Sequence, residues 1–349
     1  MANPARTTDP AHTNTPASTA HLAVEASGLR KSYGDKAVLD GIDLAVPEGT
    51  VFALLGPNGA GKTTTVQILS TLLPPDGGTA RVAGHDLARR ADDVRGAIGV
   101  TGQYSAVDKL LTGEENLLLM ADLNHLSRRD GRRRAAELLD RFDLVEAARK
   151  PAGTYSGGMQ RRLDLAMTLV GDPRLIFLDE PTTGLDPRSR RSMWQLVREL
   201  VAGGVTIFLT TQYLEEADEL AGRIALLDQG RLIAEGTAEE LKRLIPGGHI
   251  EFGFTDPEQL AVARGLLGTA SADLEALTLQ VPSDGSVRAV RELLALLDEH
   301  AVEVTGMSVH TPDLDDVFLT LTGPQHEQGQ EGRQDHQDQQ NQQQKETVR

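Results

Sequence analysis

The sequence has 349 residues, enough for about two domains, with 39 % apolar and 25 % charged residues. This composition excludes collagen-like and wholly disordered chains, and the absence of cysteine excludes disulfide scaffolds and cysteine nucleophiles. With 51 acidic against 35 basic residues, the formal net charge of −16 disfavours nucleic acid as a partner of the whole chain.

Both ends of the chain are polar and lack hydrophobic periodicity. Residues 1–21 are rich in Thr, Ala and Pro, and residues 324–349 are rich in Gln. Neither segment can bury enough apolar surface to offset its ordering entropy, so both are predicted to be disordered. No apolar run approaches the ~20 residues that cross a bilayer, and no signal segment opens the chain, so we expect an intracellular protein.

Strand-like and helix-like stretches alternate over residues 22–243, which predicts an α/β core. Strands of an edge sheet are predicted at Leu22–Leu29 and Ile42–Val46. The nearly continuous apolar runs that indicate a parallel sheet covered on both faces are Val51–Leu55, Leu175–Leu178 and Val205–Thr210. A strand is also predicted at Ile98–Thr101. Helical spacing occurs at Thr64–Leu73 and in a mostly helical region at about residues 104–165, over Glu114–Leu123 and Arg132–Phe142.

The basic stretch Arg128–Arg134 is either a solvated helix face, which we favour, or a nucleic-acid patch. Pro246-Gly247-Gly248 is typical of a linker, and residues 249–323 are predicted to form a small α+β unit after it. Its strands are predicted at His249–Phe254, Leu277–Val281 and Val302–Val309, and its helices at Pro257–Leu267, Ser286–His300 and Asp313–Leu321.

The first chemical motif follows the strand Val51–Leu55 and reads Gly56-Pro57-Asn58-Gly59-Ala60-Gly61-Lys62-Thr63. It fits the phosphate-binding pattern G-x-x-x-x-G-K-[ST], whose glycines let backbone N–H groups converge on phosphate oxygens. Lys62 is predicted to reach the β- and γ-phosphates, Thr63 to bind Mg²⁺, and Thr64 to belong to the nucleotide site. The alternative is a glycine-rich turn with an exposed lysine.

The second motif places two carboxylates at the end of an apolar strand, Leu175-Ile176-Phe177-Leu178-Asp179-Glu180. Asp179 is predicted to hold the hydrated Mg²⁺ beside the phosphate loop. Glu180 is predicted to polarise the attacking water as a general base. The alternative is a strand end that becomes polar at the surface.

The third motif is Tyr155-Ser156-Gly157-Gly158-Met159-Gln160-Arg161-Arg162, which opens a predicted helix. A hydroxyl and unobstructed amides at a helix N-terminus form an anion site, although Ser156 alone would more often be a plain N-cap. With all three motifs in this order over residues 22–243, the chain resembles the ATP-binding cassette (ABC) family. That resemblance implies a P-loop ABC ATPase that hydrolyses ATP with Mg²⁺. It also implies that Ser156, Gly157, Gly158 and Gln160 close over ATP held by a partner subunit.

Three further positions match this family. The resemblance implies that Gln103 is the Q-loop glutamine, which senses Mg²⁺ and the partner, and that Asp186 belongs to the D-loop. Asp186 precedes Pro187, so it is also an ordinary helix N-cap, and both roles are compatible. Tyr33 matches the aromatic residue that stacks on adenine, although a turn tyrosine before Gly34 is the alternative.

One position departs from the family pattern. Gln212 stands where the resemblance implies a switch histidine. Glutamine can donate a hydrogen bond to the γ-phosphate but cannot carry a proton. We therefore predict that Glu180 is the main base and that Gln212 only positions phosphate.

Gln212, the form of the third motif and the segment Gly306–Gly323 together resemble the daunorubicin/doxorubicin-resistance branch of ABC proteins. The last segment carries an apolar helix face of Leu314, Val317, Phe318 and Leu321. The branch implies a homodimer on the cytoplasmic face of the membrane that powers export of a drug-like or antibiotic molecule through a separate permease. Dimer support and permease contact are both open as roles of residues 249–323.

Two alternatives stay open at the level of the sequence. A soluble ABC ATPase acting on a ribosome or DNA usually carries two cassettes or a long inserted coiled coil. Residues 104–154 leave no room for one, and the acidic charge also disfavours it. The second alternative is a small-molecule kinase with a phosphate loop, a function that does not account for the Ser156 motif.

Overall fold

The computed structural model describes residues 21–102, 106–245, 248–268, 270–310 and 312–322. Within these residues the strands form three sheets. Gln103 and Gly323, the start of the predicted linker at 246–247, and the predicted disordered ends (except His21) lie outside them.

The first sheet is antiparallel and includes the first two strands of the described chain. Its spatial order is β2-β1-β4-β5, with strands β1 (Leu22–Tyr33), β2 (Lys36–Pro47), β4 (Gly77–Val82) and β5 (His85–Asp86). The two predicted edge strands are confirmed and are longer than expected, because β1 and β2 form a hairpin whose pairing runs from Leu22 with Pro47 to Tyr33 with Lys36.

The second sheet has the order β10-β9-β3-β8-β7-β6, and its pairs are parallel except for β9 with β10. Its strands are β3 (Val51–Leu55), β6 (Ile98–Thr101), β7 (Leu175–Asp179), β8 (Thr206–Thr211), β9 (Arg223–Asp228) and β10 (Arg231–Gly236). Phe52 and Leu54 face one hydrophobic cluster, whereas Ala53 and Leu55 face another. Both faces are therefore buried, which is why these strands are continuously apolar.

Eight helices flank these two sheets among the described residues. They are α1 (Lys62–Leu69), α2 (Ala91–Ala97), α3 (Gly113–Leu123), α4 (Arg128–Arg141), α5 (Gly157–Thr168), α6 (Pro187–Ala202), α7 (Leu214–Leu220) and α8 (Ala238–Lys242). The prediction that the first helix reaches Leu73 is wrong. Thr71 has a φ of 66°, and Leu72 N bonds Gln67 O at 2.8 Å, so the chain turns out of the helix before Pro74.

The basic stretch lies in the first two turns of α4 and is largely exposed. Arg133 pairs with Glu137 at 2.9 Å, and Arg134 donates to Leu169 O at 2.8 Å. These internal partners support the solvated-face interpretation over a nucleic-acid patch.

The third sheet forms from residues 249–310, with the order β12-β13-β11-β14. Its elements are β11 (His249–Gly253), α9 (Pro257–Leu266), β12 (Ser271–Asp273), β13 (Thr278–Pro282), α10 (Val287–Glu299) and β14 (Gly306–His310). The sheet and its two helices bury their own cluster around Phe252 and Leu279. The prediction that the last strand begins at Val302 is wrong, because Val302 N bonds Leu297 O and closes the end of α10.

The last described helix, α11 (Leu314–Thr322), packs away from this third sheet. Leu314 and Val317 are buried in the same cluster as Leu241 of α8, on the parallel-sheet domain. Phe318 and Leu321 of the predicted apolar face are half-buried. The predicted domain boundary near residue 249 stays a prediction.

Candidate functional site

The loop Gly56–Gly61 joins the end of β3 to the start of α1. Gly59 and Gly61 have φ values of 83° and 113°, which L side chains rarely adopt. A Cβ on Gly56 would lie 2.2 Å from Leu227 O, and one on Gly61 would lie 2.6 Å from Leu39 Cδ2. The loop can therefore follow this path only with glycine at these positions.

Lys62 is buried at the start of α1, with 4 % of its side chain exposed. Its Nζ donates to Gly56 O at 2.7 Å and Pro57 O at 3.0 Å, and it lies 3.6 Å from Glu180 Oε1. Burial lowers the pKa of the Lys62 ammonium, and the Glu180 and Asp179 carboxylates oppose that shift. The ammonium is thus held inside the loop, between backbone carbonyls and carboxylates.

The other predicted loop residues are arranged around Lys62. Asn58 and Thr63 are exposed, Pro57 and Thr64 are half-buried, and Ala60 is buried. Ala60 O accepts from Gly230 N at 3.1 Å, which fixes the loop against the turn between β9 and β10.

Strand β8 lies between β3 and β7 and connects their two loops. Thr211 O accepts from Gly56 N at 3.4 Å, and Thr210 O accepts from Glu180 N at 3.1 Å. The Thr210 hydroxyl donates to the Asp179 carboxylate, which is buried. Neither threonine was predicted as a site residue, although both lie at the polar end of an apolar strand, a signal that could have identified them.

Glu180 has a left-handed backbone, with a φ of 49°. This conformation costs about 1–2 kcal/mol for a residue with a Cβ. It brings the carboxylate to Lys62 and places it 3.4 Å from the Thr183 hydroxyl. Strain of this kind at a strand end is typical of functional sites.

The donor set at this edge fits Mg²⁺. Asp179 presents a buried carboxylate at the end of β7, and Thr63 presents an exposed hydroxyl in the first turn of α1. Hard oxygen donors of this kind, few in number, are what Mg²⁺ uses when phosphates supply its other ligands. Gln103, the third predicted ligand, lies outside the described residues.

The Ser156 motif lies at the exposed N-terminus of α5. Ser156 Oγ accepts from Met159 N at 3.3 Å, so it is a helix N-cap, and Ser156 and Gly157 are exposed. Gly158 is close to α6, where a Cβ would lie 2.6 Å from Ser189 Oγ. Gln160 turns its amide to Tyr155 O and Ala152 O, at 3.1 and 3.3 Å, so its side chain is engaged within its own chain.

The remaining predicted residues lie at the ends of three different elements. Gln212 is half-buried and follows β8 directly, at the same sheet edge as Lys62. Asp186 is the N-cap of α6, accepting from Arg188 N and Ser189 N at 3.0 Å. Tyr33 is 50 % exposed at the tip of the hairpin whose second strand meets the phosphate loop through Leu39.

Sequence comparison agrees with this geometry. A family model described as ABC transporter matches residues 39–183. The daunorubicin resistance ATP-binding protein DrrA2 of Streptomyces coeruleorubidus is 52 % identical over 310 residues, covering 87 % of this chain and 96 % of that protein. This chain belongs to the ABC transporter family. As a member of the ABC ATP-binding subunits, it binds and hydrolyses ATP.

Two further comparisons extend this result. The daunorubicin/doxorubicin resistance ATP-binding protein DrrA of Streptomyces peucetius is 50 % identical over 306 residues, covering 86 % of this chain and 92 % of that protein. A solved ATP-binding subunit of an ABC transporter is 30 % identical with a TM-score of 0.58, covering 64 % of this chain and 93 % of that one. The predicted P-loop ABC fold and the resemblance to the daunorubicin/doxorubicin-resistance branch are confirmed. The comparisons give no support to action on a ribosome or DNA.

Proposed function

We propose that this ABC subunit powers export of a drug-like or antibiotic molecule through a separate membrane permease. The observation that carries the proposal is the meeting of Lys62, Asp179 and Glu180 at one sheet edge. The same chain exposes the N-terminus of α5, the signature helix that carries the Ser156 motif. The substrate class follows from relatives named for resistance to daunorubicin and doxorubicin.

In this proposal the residues of the sheet edge divide the chemistry of ATP hydrolysis. Lys62 exchanges its bonds to Gly56 O and Pro57 O for phosphate oxygens of ATP. Glu180 takes a proton from the attacking water. Gln212 donates a hydrogen bond to the γ-phosphate. Asp179, Thr63 and Gln103 would hold Mg²⁺, which would neutralise phosphate charge.

We infer that two copies of the chain form each complete site. Ser156 and Gly157 are exposed at a helix N-terminus, where backbone amides and the helix dipole attract anions. One protomer then binds ATP through Lys62, Tyr33 and their neighbours. The other covers the γ-phosphate with Ser156, Gly157 and Gly158. Gln160 holds the backbone that precedes them through Ala152 O and Tyr155 O, and Asp186 caps α6 beside Gly158.

The permease partner and the peripheral location on the cytoplasmic face of the membrane belong to the same proposal. No helix in the part of the chain that the structure describes is long and apolar enough to cross a membrane. Membrane vesicles that contain this chain and a candidate permease should accumulate doxorubicin when ATP is added. Accumulation that persists with Lys62→Ala would contradict the proposal.

A mixing experiment tests the composite site. A side chain at Gly157 would have open space, and aspartate is stabilising at the N-terminus of a helix such as α5. Gly157→Asp nevertheless places a negative charge where phosphate is expected. Lys62→Ala and Gly157→Asp should each be inactive alone. Mixed before assembly, they should regain ATPase activity, because one of the two sites in a mixed dimer then carries neither change.

The matched control mixes Lys62→Ala with Glu180→Gln, two changes on the same half of the site. Each site of that mixed dimer retains one defect, so no activity should return. Recovery in the control, or none in the test mixture, would overturn the two-copy arrangement.

A further inference from the structure

Arg161 and Asp164 form a buried ion pair within α5, five and eight residues after Ser156. Arg161 Nη1 lies 3.1 Å from Asp164 Oδ2, and the side chains are 10 % and 2 % exposed. Burial lowers the pKa of the Arg161 guanidinium, and Asp164 is the largest of the carboxylates that oppose the shift. Such a pair is costly to bury unless its remaining donors and acceptors are also satisfied.

The other N–H donors of Arg161 bond backbone carbonyls at the end of β7, next to the catalytic carboxylates. Arg161 Nε donates to Pro181 O at 2.8 Å, and Nη2 donates to Asp179 O at 3.3 Å. These two carbonyls belong to the residues on either side of Glu180. The strained backbone of Glu180 is therefore held from both sides by one guanidinium.

The same pair also holds the end of β6 and the chain beyond it. Arg161 Nη1 donates to Gly102 O at 3.0 Å, and Asp164 Oδ1 accepts from Ala106 N at 3.0 Å. Only a planar fork with five donors can serve three carbonyls and a carboxylate at once. Lysine, a single point charge, could satisfy part of this set.

We propose that Arg161, held by Asp164, is a positioning residue for Glu180. It ties the helix that begins at Ser156 to the backbone around Glu180, so a displacement of that helix changes the position of the base. This inference rests on the proposed function, in which Ser156 contacts ATP of the partner subunit. It follows that the two ATP sites of a dimer are coupled through the Arg161 side chain.

The first test compares Arg161→Met with Arg134→Met in the full chain. Arg134 also anchors α5, donating to Leu169 O at 2.8 Å, but contacts neither Asp179 nor Pro181 in the described structure. Arg161→Met should lower kcat by about 10- to 100-fold, as expected when a reacting group is misplaced by about 1 Å. KM for ATP and the stoichiometry of nucleotide binding should stay unchanged, and Arg161→Lys should recover part of kcat. Arg134→Met should keep kcat.

The second test repeats Arg161→Met in a Glu180→Gln background, with single-turnover hydrolysis as the readout. If Arg161 acts through Glu180, the added change should have no further effect, since residues that act as a unit are not additive. A fall as large as in the wild-type background would overturn the proposal, and so would a wild-type kcat for Arg161→Met.

Where Arg161→Met alone fails to fold, Arg161→Met with Asp164→Asn carries the same test. The double change leaves no unpaired buried charge but still removes the contacts to Asp179 and Pro181. Its kcat should fall to the same extent, and a wild-type kcat would overturn the proposal. Failure of the proposed function shows separately, in the mixing experiment, which does not involve Arg161.

Discussion

The phosphate-loop half and the signature half of the site are built in opposite ways. Lys62 and Asp179 are buried and Glu180 is nearly so, at the edge of a sheet with two covered faces. Ser156 and Gly157 are exposed at the start of a helix. The phosphate-loop half contains the charged groups that perform chemistry. The signature half contributes backbone dipoles, which act only when an anion lies opposite them. Changes to the first half should therefore affect turnover most.

The largest expected effect is that of Glu180→Gln. Removing the general base should lower kcat by about 10²- to 10⁴-fold. Steady-state ATP hydrolysis measures this, with Glu215→Gln as the control, because Glu215 is exposed on α7. A fall of less than about tenfold would show that the sheet edge does not supply the base.

Gln212→Ala should have a smaller effect, about 10- to 100-fold in kcat, because it removes a group that positions phosphate and carries no proton. Parallel assays of Gln212→Ala and Glu180→Gln decide the division of roles. Equal losses of kcat in the two variants would show that Gln212 does more than position phosphate.

Ser156→Ala should reduce the free energy of unfolding by about 1 kcal/mol, because the cap on α5 is lost. Urea denaturation measures this loss, and Ser156→Thr should restore most of it. An unchanged midpoint for Ser156→Ala would mean that the bond to Met159 N contributes nothing to stability.

The smallest expected effect concerns Glu216, a buried acid in α7, the helix that follows Gln212. Glu216 is fully buried in α7, accepts from Trp194 Nε1 at 3.1 Å, and has its pKa raised by burial. The folded protein then keeps this proton to higher pH than the unfolded chain does, so its contribution to stability falls as pH rises above the unfolded pKa. The amide of Glu216→Gln does not titrate, so the variant lacks this pH dependence.

The melting temperature of Glu216→Gln relative to wild type should therefore increase from pH 4 to pH 8. Emission of Trp194, the single tryptophan of the chain, should change over the same range in the wild type only. Glu215→Gln, at the exposed neighbouring position, should show no such trend. A difference in melting temperature that does not vary with pH would contradict the buried-acid assignment.

Much of the core fold could be predicted because its signals are local. The strand Val51–Leu55 ends where its apolar run ends, and Ile98–Thr101 has its predicted bounds. The N-caps at Ser156 and Asp186 depend on residues within a single turn. Two boundaries failed, at Thr71 and Val302, because the turns that end α1 and α10 leave no mark in the apolar spacing.

The phosphate loop, the acidic strand end and the Ser156 motif could be identified from the sequence, and with them the family. Spacing along the chain is enough for these, because each motif is a run of neighbouring residues. The folded structure was needed to show that Arg161 holds both sides of Glu180, that β8 is bonded to both loops, and that α11 is buried in the same cluster as α8. Such contacts join residues far apart in sequence, and burial rather than periodicity selects them.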